Sequence, residues 1–238
     1  MDIKYKRVLL KLSGEALAGS MGKGIDYDTL LNVCGAIKKC VDAGVEVGIV
    51  VGGGNFWRGR ESADKMERTR ADKIGMLATI MNSIALADAF EKVGVEAVVR
   101  TSVDMLGVAK RFSREEALED MRNGKVVIFG GGTGSPFFST DTAAALRTAE
   151  ISADAMLMAK MVDGVYDSDP KKNPEAKRYD RVSFTEILEK DLKAIDSTAA
   201  SMCRDNDTEV FVFSLSDPEN ILRAVRGENI GTVLKEDK

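Results

Sequence analysis

Three apolar runs in this chain each stop at a glycine-rich loop, and no other feature of the sequence constrains the fold as tightly. They are Arg7-Val-Leu-Leu-Lys-Leu-Ser-Gly14, Val45-Glu-Val-Gly-Ile-Val-Val-Gly-Gly-Gly-Asn55 and Lys125-Val-Val-Ile-Phe-Gly-Gly-Gly-Thr-Gly-Ser-Pro136. A short apolar run closed by glycines and followed by helical periodicity marks a buried strand of an open α/β sheet. The glycines let backbone N–H groups approach an anion closely, and the next helix adds its positive N-terminal end. Three such loops predict several phosphates held between the C-terminal ends of neighbouring strands. That arrangement suits moving a phosphoryl group better than holding a single nucleotide.

Strands are expected near 7–12, 45–51, 95–100, 125–130, 154–159, 209–214 and 231–235, with helices between them. Leu30, Val33, Cys34, Ile37 and Val41 recur at helical spacing and make one apolar stripe. Ser113-Arg-Glu-Glu116 and Ser183-Phe-Thr-Glu186 are capping boxes, and Ser216-Asp-Pro-Glu219 is expected to open a helix with Pro218 in its first turn. Alternation of this kind predicts an α/β fold, a mostly parallel twisted sheet covered by helices on both faces. Residues 1–238 are expected to form a single domain of two lobes, about 1–150 and about 151–238. The polar stretch from Asp167 to Arg178 is expected to be an exposed loop or small hairpin between them. The segment around Met76 to Phe90 is apolar on nearly every face, and is either deeply buried or half of a subunit interface.

Composition removes whole classes of chemistry. The chain has no histidine, which excludes Ser-His-Asp and Cys-His catalysis and His-ligated zinc. Phosphoryl transfer survives, because it rests on positioning and charge neutralisation. A formal charge of -4 advertises no basic face for nucleic acid or an anionic membrane. Cys34, Cys40 and Cys203 are expected to be free buried thiols in a reducing cytoplasm. The N-terminus lacks a signal-peptide core, and residues 74–90 are too short and too polar for a membrane span. The acids are too dispersed to predict a metal cage, so no metal ligands are assigned.

The standard nucleotide motifs are missing. Gly22-Lys23 and Gly124-Lys125 lack the rest of a Walker A loop, and no Gly-x-Gly-x-x-Gly occurs. Instead, Lys11-Leu-Ser-Gly-Glu15, Gly52-Gly-Gly-Asn55 with Arg58-Gly59, Gly132-Thr-Gly-Ser-Pro-Phe-Phe-Ser-Thr-Asp141, and Val162-Asp-Gly-Val-Tyr166 with Asp169-Pro170 stand in that order along the chain. Together they resemble the amino-acid-kinase superfamily, and within it the bacterial uridylate kinases, from Arg7 to about Leu234.

The resemblance implies a three-layer fold and an enzyme that phosphorylates UMP to UDP with Mg-ATP and no general base, in pyrimidine nucleotide biosynthesis. It implies Lys11, Asp141 and Asp196 as catalytic residues, with Asp196 orienting Lys11. Lys11, Leu12, Ser13, Gly14, Gly54, Arg58, Lys160, Tyr166 and Asp169 would bind ATP, Tyr166 packing on adenine. Gly53, Arg58, Asp72, Thr133, Gly134, Ser135, Pro136, Phe137, Phe138, Ser139 and Thr140 would bind UMP, Asp72 at the ribose. The first lobe would then hold the acceptor and the second ATP. From the residues alone, Asp72 is a favourable charge opening a helix, and Thr140-Asp141 and Asp196 are helix caps. Ser135 departs from the asparagine usual in that family, which bears on base choice. The resemblance further implies a cytoplasmic homohexamer regulated by GTP and UTP. Alternatives are another kinase of the superfamily, acting on carbamate or acetylglutamate, and a non-catalytic nucleotide- or oxyanion-binding protein on the same fold.

Overall fold

A computed structural model describes residues 2–57, 66–170 and 172–236, and places β1 (Arg7–Leu12) at the centre of one sheet. Side chains alternate across a strand, so each apolar run must satisfy two cores. Val8, Leu10 and Leu12 pack into one, while Leu9 packs into the other. Lys11 shares the face of Leu9. Burial on both faces is why these runs are continuous in apolar residues and not alternating.

Among the described residues the sheet has nine strands. On one side of β1 lie β2 (Glu46–Val51), β5 (Val126–Gly130), β3 (Ala97–Thr101) and β4 (Lys110–Arg111). On the other side lie β6 (Ala155–Lys160), β8 (Glu209–Ser214), β9 (Gly231–Leu234) and β7 (Arg181–Val182). The strands from β4 to β8 run parallel, and β9 reverses direction against β8. Lys11 is in register with Val50 of β2 and Met158 of β6. The seven expected strands are present. The two-residue strands β4 and β7 are too short to leave a periodic signal.

One face of the sheet carries α2 (Tyr27–Asp42), α3 (Arg68–Lys92) and α8 (Asn220–Val225), with α1 (Gly14–Leu17) at its edge. The other carries α4 (Arg114–Arg122), α5 (Thr140–Glu150), α6 (Phe184–Glu189) and α7 (Ser197–Asp205). The three layers are those expected. Ser113 and Ser183 cap α4 and α6 as predicted. Ser216 does not cap α8: the helix begins at Asn220, and Asp217 Oδ1 instead accepts from Glu219 N at 3.0 Å. Pro218 therefore lies in the turn before the helix. The 167–178 stretch folds back on itself, with an antiparallel bridge between Tyr166 and Arg178. The three cysteines are free and buried, and burial pushes each thiol up to about 12.

The helix α3 corrects two expectations. It begins at Arg68, so Asp72 lies one turn inside it; the N-cap is Glu67, whose carboxylate accepts from Thr69 and Arg70 N. At 25 residues it is long and apolar enough, by length and composition alone, to cross a membrane. Its inner face nevertheless packs on the sheet, burying Ala78, Leu86 and Phe90 together with the polar Thr79, Asn82 and Ser83. Its outer face leaves Ile74, Leu77, Met81 and Ile84 exposed.

The chain ends are fastened by one carboxylate. Glu209 accepts from Tyr5 Oη, from Lys4 Nζ at 2.8 Å and from Lys235 Nζ at 3.3 Å. Burial alone would raise the Glu209 pKa, but the Lys4 and Tyr5 hydrogen bonds outweigh it and carry the group from an ordinary 4.5 to about 2. A folded-state pKa below the unfolded one stabilises above the unfolded value and is lost as pH falls through the folded value. Glu209→Gln is therefore expected to lower the melting temperature at pH 7. The gap from the native chain should narrow as pH falls from about 5 toward 2, as followed by thermal unfolding across that range.

Candidate active site

The first two glycine loops touch. Gly52 N donates to Leu12 O at 2.9 Å, continuing the β1–β2 ladder past the strand ends. A Cβ on Gly14 would stand 2.5 Å from Gly52 O and 2.7 Å from Asn55 Oδ1. A Cβ on Gly53 would stand 2.8 Å from Gly75 O of α3. These glycines are required because backbones meet there. The third loop needs its glycines for conformation: Gly131, Gly132 and Gly134 have φ of 82°, 60° and 86°. It leads into α5, whose N-cap is Ser139, not Thr140 or Asp141; the Ser139 hydroxyl accepts from Asp141 and Thr142 N.

Lys11, 9% exposed, reaches this junction from the end of β1. Its Nζ lies 2.8 Å from Asp141 Oδ1. Asp141 is thus the carboxylate paired with the lysine, while Asp196 is the one expected to orient it. Asp196 stands one step behind, capping α7 through Ala199 N at 2.9 Å and accepting from Thr142 Oγ1 at 3.2 Å and from Ser139 Oγ. Asp196 does serve as the helix cap foreseen from the residues alone. Burial pushes the Asp141 carboxyl upward, but Lys11, Lys160 and the Asp196 N–H outweigh it and hold it below the ordinary carboxylate range. Burial pulls Lys160 below the ordinary lysine value, opposed by Asp141 and reinforced by Lys11. Lys160 Nζ also donates to Ala194 O. A charge-assisted pair inside a poorly solvated pocket needs such partners, since either charge alone would be costly there.

On the β2–β5 side a cleft of about 150 Å³ is lined by Gly53, Asp72, Thr133, Ser135, Phe138, Ser139 and Thr140 of the expected acceptor set. Gly132 of the third glycine loop also lines it, and Trp57, Gly75, Met76 and Thr79 complete it, none of them among the site residues expected from the sequence. Asp72 Oδ2 accepts from Phe137 N at 2.8 Å and pairs with Arg68 at 2.8 Å, so it braces the 133–140 loop. Phe137, with φ of 71°, is 66% exposed and, like Gly134 and Pro136, is not part of the lining. Arg58 lies outside the described residues.

On the β6–β8 side a second cleft, of about 380 Å³, is lined by Lys160, Tyr166 and Asp169 of the expected ATP set. The Tyr166 hydroxyl donates to Asp163 Oδ1 at 2.9 Å. The segment after α6, Lys190 to Ala194, forms another wall, together with Val162, Gly164 and Val165. Thr232 of β9 supports it from behind, accepting from Val165 N at 2.9 Å. Of the rest of the expected ATP set, Lys11, Leu12, Ser13, Gly14 and Gly54 lie at or just after the ends of β1 and β2. Leu12 is wholly buried in the core, Ser13 makes no capping bond with its hydroxyl, and Gly54 faces Glu15. Lys160 edges the second cleft and couples to Asp141, whose neighbour Thr140 edges the first. A larger hollow of about 750 Å³, beside the 104–111 loop, contains none of these residues. Among the described residues no group of three Cys, Asp or Glu is arranged to hold a metal ion.

The contact between the first two loops gives a direct test. Gly14→Ala forces its methyl into Gly52 O and Asn55, and is expected to cost about 1–3 kcal/mol, as overpacking does. Denaturant unfolding of the variant against the native chain measures it.

Comparison with known proteins agrees with this geometry. The model of the amino acid kinase family matches residues 6–214. A UMP kinase from Bacillus anthracis is 39% identical, with a TM-score of 0.94 over 98% of this chain and 97% of that one. A UMP kinase from Ureaplasma parvum is 35% identical, with a TM-score of 0.92 over 98% and 100%. A uridylate kinase from Archaeoglobus fulgidus is 30% identical, with a TM-score of 0.70 over 95% and 99%. With glycine loops, a strand-end lysine and a matching family model along the same stretch, this chain belongs to the amino acid kinase family.

Proposed function

We propose that the chain phosphorylates UMP to UDP at the expense of ATP, transferring the γ-phosphoryl group directly and in line. The observation that carries this reading is a pair of clefts, one edged by Thr140 and the other by Lys160, with Asp141, the partner of Lys11, next to Thr140 in the chain and coupled to Lys160. The cleft against α3 takes UMP, with its phosphate toward Gly53 and Thr140 and its ribose toward Asp72. The cleft against β6 takes the ATP nucleoside, with Tyr166 and Asp169 beside it and its phosphates running over Ser13, Gly14 and Gly54 toward Lys11. Arg58 completes the phosphate contacts. The first lobe thus serves the acceptor and the second the donor.

A phosphate oxygen attacks, and it is already ionised at neutral pH, so no base need remove a proton. The protein's part is to hold two phosphates in line and to offset the charge gathering on the transferred group. Lys11 and the loop N–H groups do this, with Lys160 toward the donor side. Asp141 keeps Lys11 aimed, and Asp196 sets Ser139 and the start of α5. Magnesium would arrive with ATP, held by phosphates and water. Among the described residues no carboxylate cage is arranged for it: Asp141 is engaged by Lys11, and Asp196 by Ser139, Thr142 and Ala199.

The exposed strip of Ile74, Leu77, Met81 and Ile84 supports a homo-oligomer built on the outer face of α3. A cytoplasmic homohexamer regulated by GTP and UTP follows from likeness to the family. The activity is tested by ADP release with Mg-ATP against UMP, CMP, dUMP, AMP, carbamate and acetylglutamate. Turnover is expected with UMP at least about 100-fold above AMP, carbamate and acetylglutamate, the size of effect that mispaired polar groups give. Turnover on carbamate or acetylglutamate without UMP contradicts the proposal. CMP turnover near that of UMP would locate the lost base choice at Ser135.

A further inference from the structure

The acceptor-side glycine loops are not self-supporting: both hang from one turn of α3. Asn82, wholly buried, donates from Nδ2 to Gly52 O at 2.7 Å and to Asn55 Oδ1 at 2.8 Å. Asn55 returns a bond to Asn82 Oδ1 at 2.9 Å and donates to Gly24 O at 2.7 Å. Three residues earlier, the Thr79 hydroxyl accepts from Gly131 N at 2.8 Å and donates to Met76 O at 2.7 Å. Residues three apart share a helix face. One turn therefore sets the distance between the loop after β2 and the loop after β5. A Cβ on Gly53 would stand 2.8 Å from Gly75 O and 2.9 Å from Ala78 Cβ, so this loop lies close against the same stretch of α3.

We infer that Thr79 and Asn82 are positioning residues for the acceptor phosphate: Asn82 fixes the second glycine loop and Thr79 the third, so that their N–H groups converge on one anion. Neither residue supplies charge to the reaction. Both lie on the acceptor side, far along the sheet from Tyr166 and Asp169, so their effect falls on UMP and spares ATP. The inference rests on the assignment of UMP to the α3 cleft.

The test is steady-state kinetics and calorimetric UMP binding for Thr79→Val and Thr79→Ser. Removing a buried acceptor typically weakens what it holds by about tenfold, and this is the expected rise in KM and Kd for UMP in Thr79→Val. The KM for ATP should stay within about twofold, and Thr79→Ser, which keeps the hydroxyl, should restore most of the UMP affinity. A Thr79→Val chain with a lower melting temperature but unchanged KM for UMP overturns the inference, as does an equal rise in both KM values. If that variant does not fold, amide exchange in the native protein decides: UMP should protect residues 76–83 together with 131–134, and protection of 131–134 alone overturns it. A native chain that turns over no UMP defeats the functional assignment instead, which keeps the two failures apart.

Discussion

Lys11 at the end of the central strand, paired with Asp141 at 2.8 Å, is the interaction around which the rest of the structure is arranged. A lysine 9% exposed at the end of an apolar strand needs a carboxylate nearby, and α5 supplies it from its first turn. Placing that turn requires the third glycine loop to bend with positive φ, and Ser139 to cap the helix. Asp196 then holds Ser139 from a different helix, α7. The pair thereby joins β1, α5 and α7, and both of its members act electrostatically on Lys160 of β6.

Glycine plays two roles around this pair. At Gly14 and Gly53 the demand is steric, since a methyl would enter the backbone of the neighbouring loop or helix. At Gly131, Gly132 and Gly134 it is conformational, because side chains disfavour positive φ. The first kind lets the loops after β1 and β2 lie against each other and against α3. The second turns the chain from β5 toward α5.

Much of this was legible in the sequence because strand burial and glycine punctuation are local signals. The seven longer strands, the capping boxes at Ser113 and Ser183, and the buried thiols follow from neighbours a few residues apart. Contacts made across the fold were not legible. Asp141 and Asp196 both stand near a helix start, and nothing local says which one meets Lys11; the sheet order and the reach of α5 decide it. Asn82 and Ser83 look like interruptions of an apolar helix, yet they are buried, and Asn82 holds the loop after β2. Trp57, Thr79 and the wall from Lys190 to Ala194 join the clefts only through tertiary placement. Asp72 shows the remaining kind of error: its charge suggested a helix start, while it lies one turn inside α3 and also receives the Phe137 N–H.

The central claim is that Lys11 acts on the phosphoryl group in flight and not on holding the acceptor. The most direct measurement is single-turnover phosphoryl transfer in Lys11→Met at saturating Mg-ATP and UMP, with UMP affinity measured alongside by calorimetry. The account predicts a transfer rate lower by about 10²–10³-fold, the usual effect of removing one preorganised charge or donor at a reacting centre, with UMP affinity changed by less than about threefold. A transfer rate within about tenfold of the native chain, or a loss that appears only as weaker UMP binding, would contradict it.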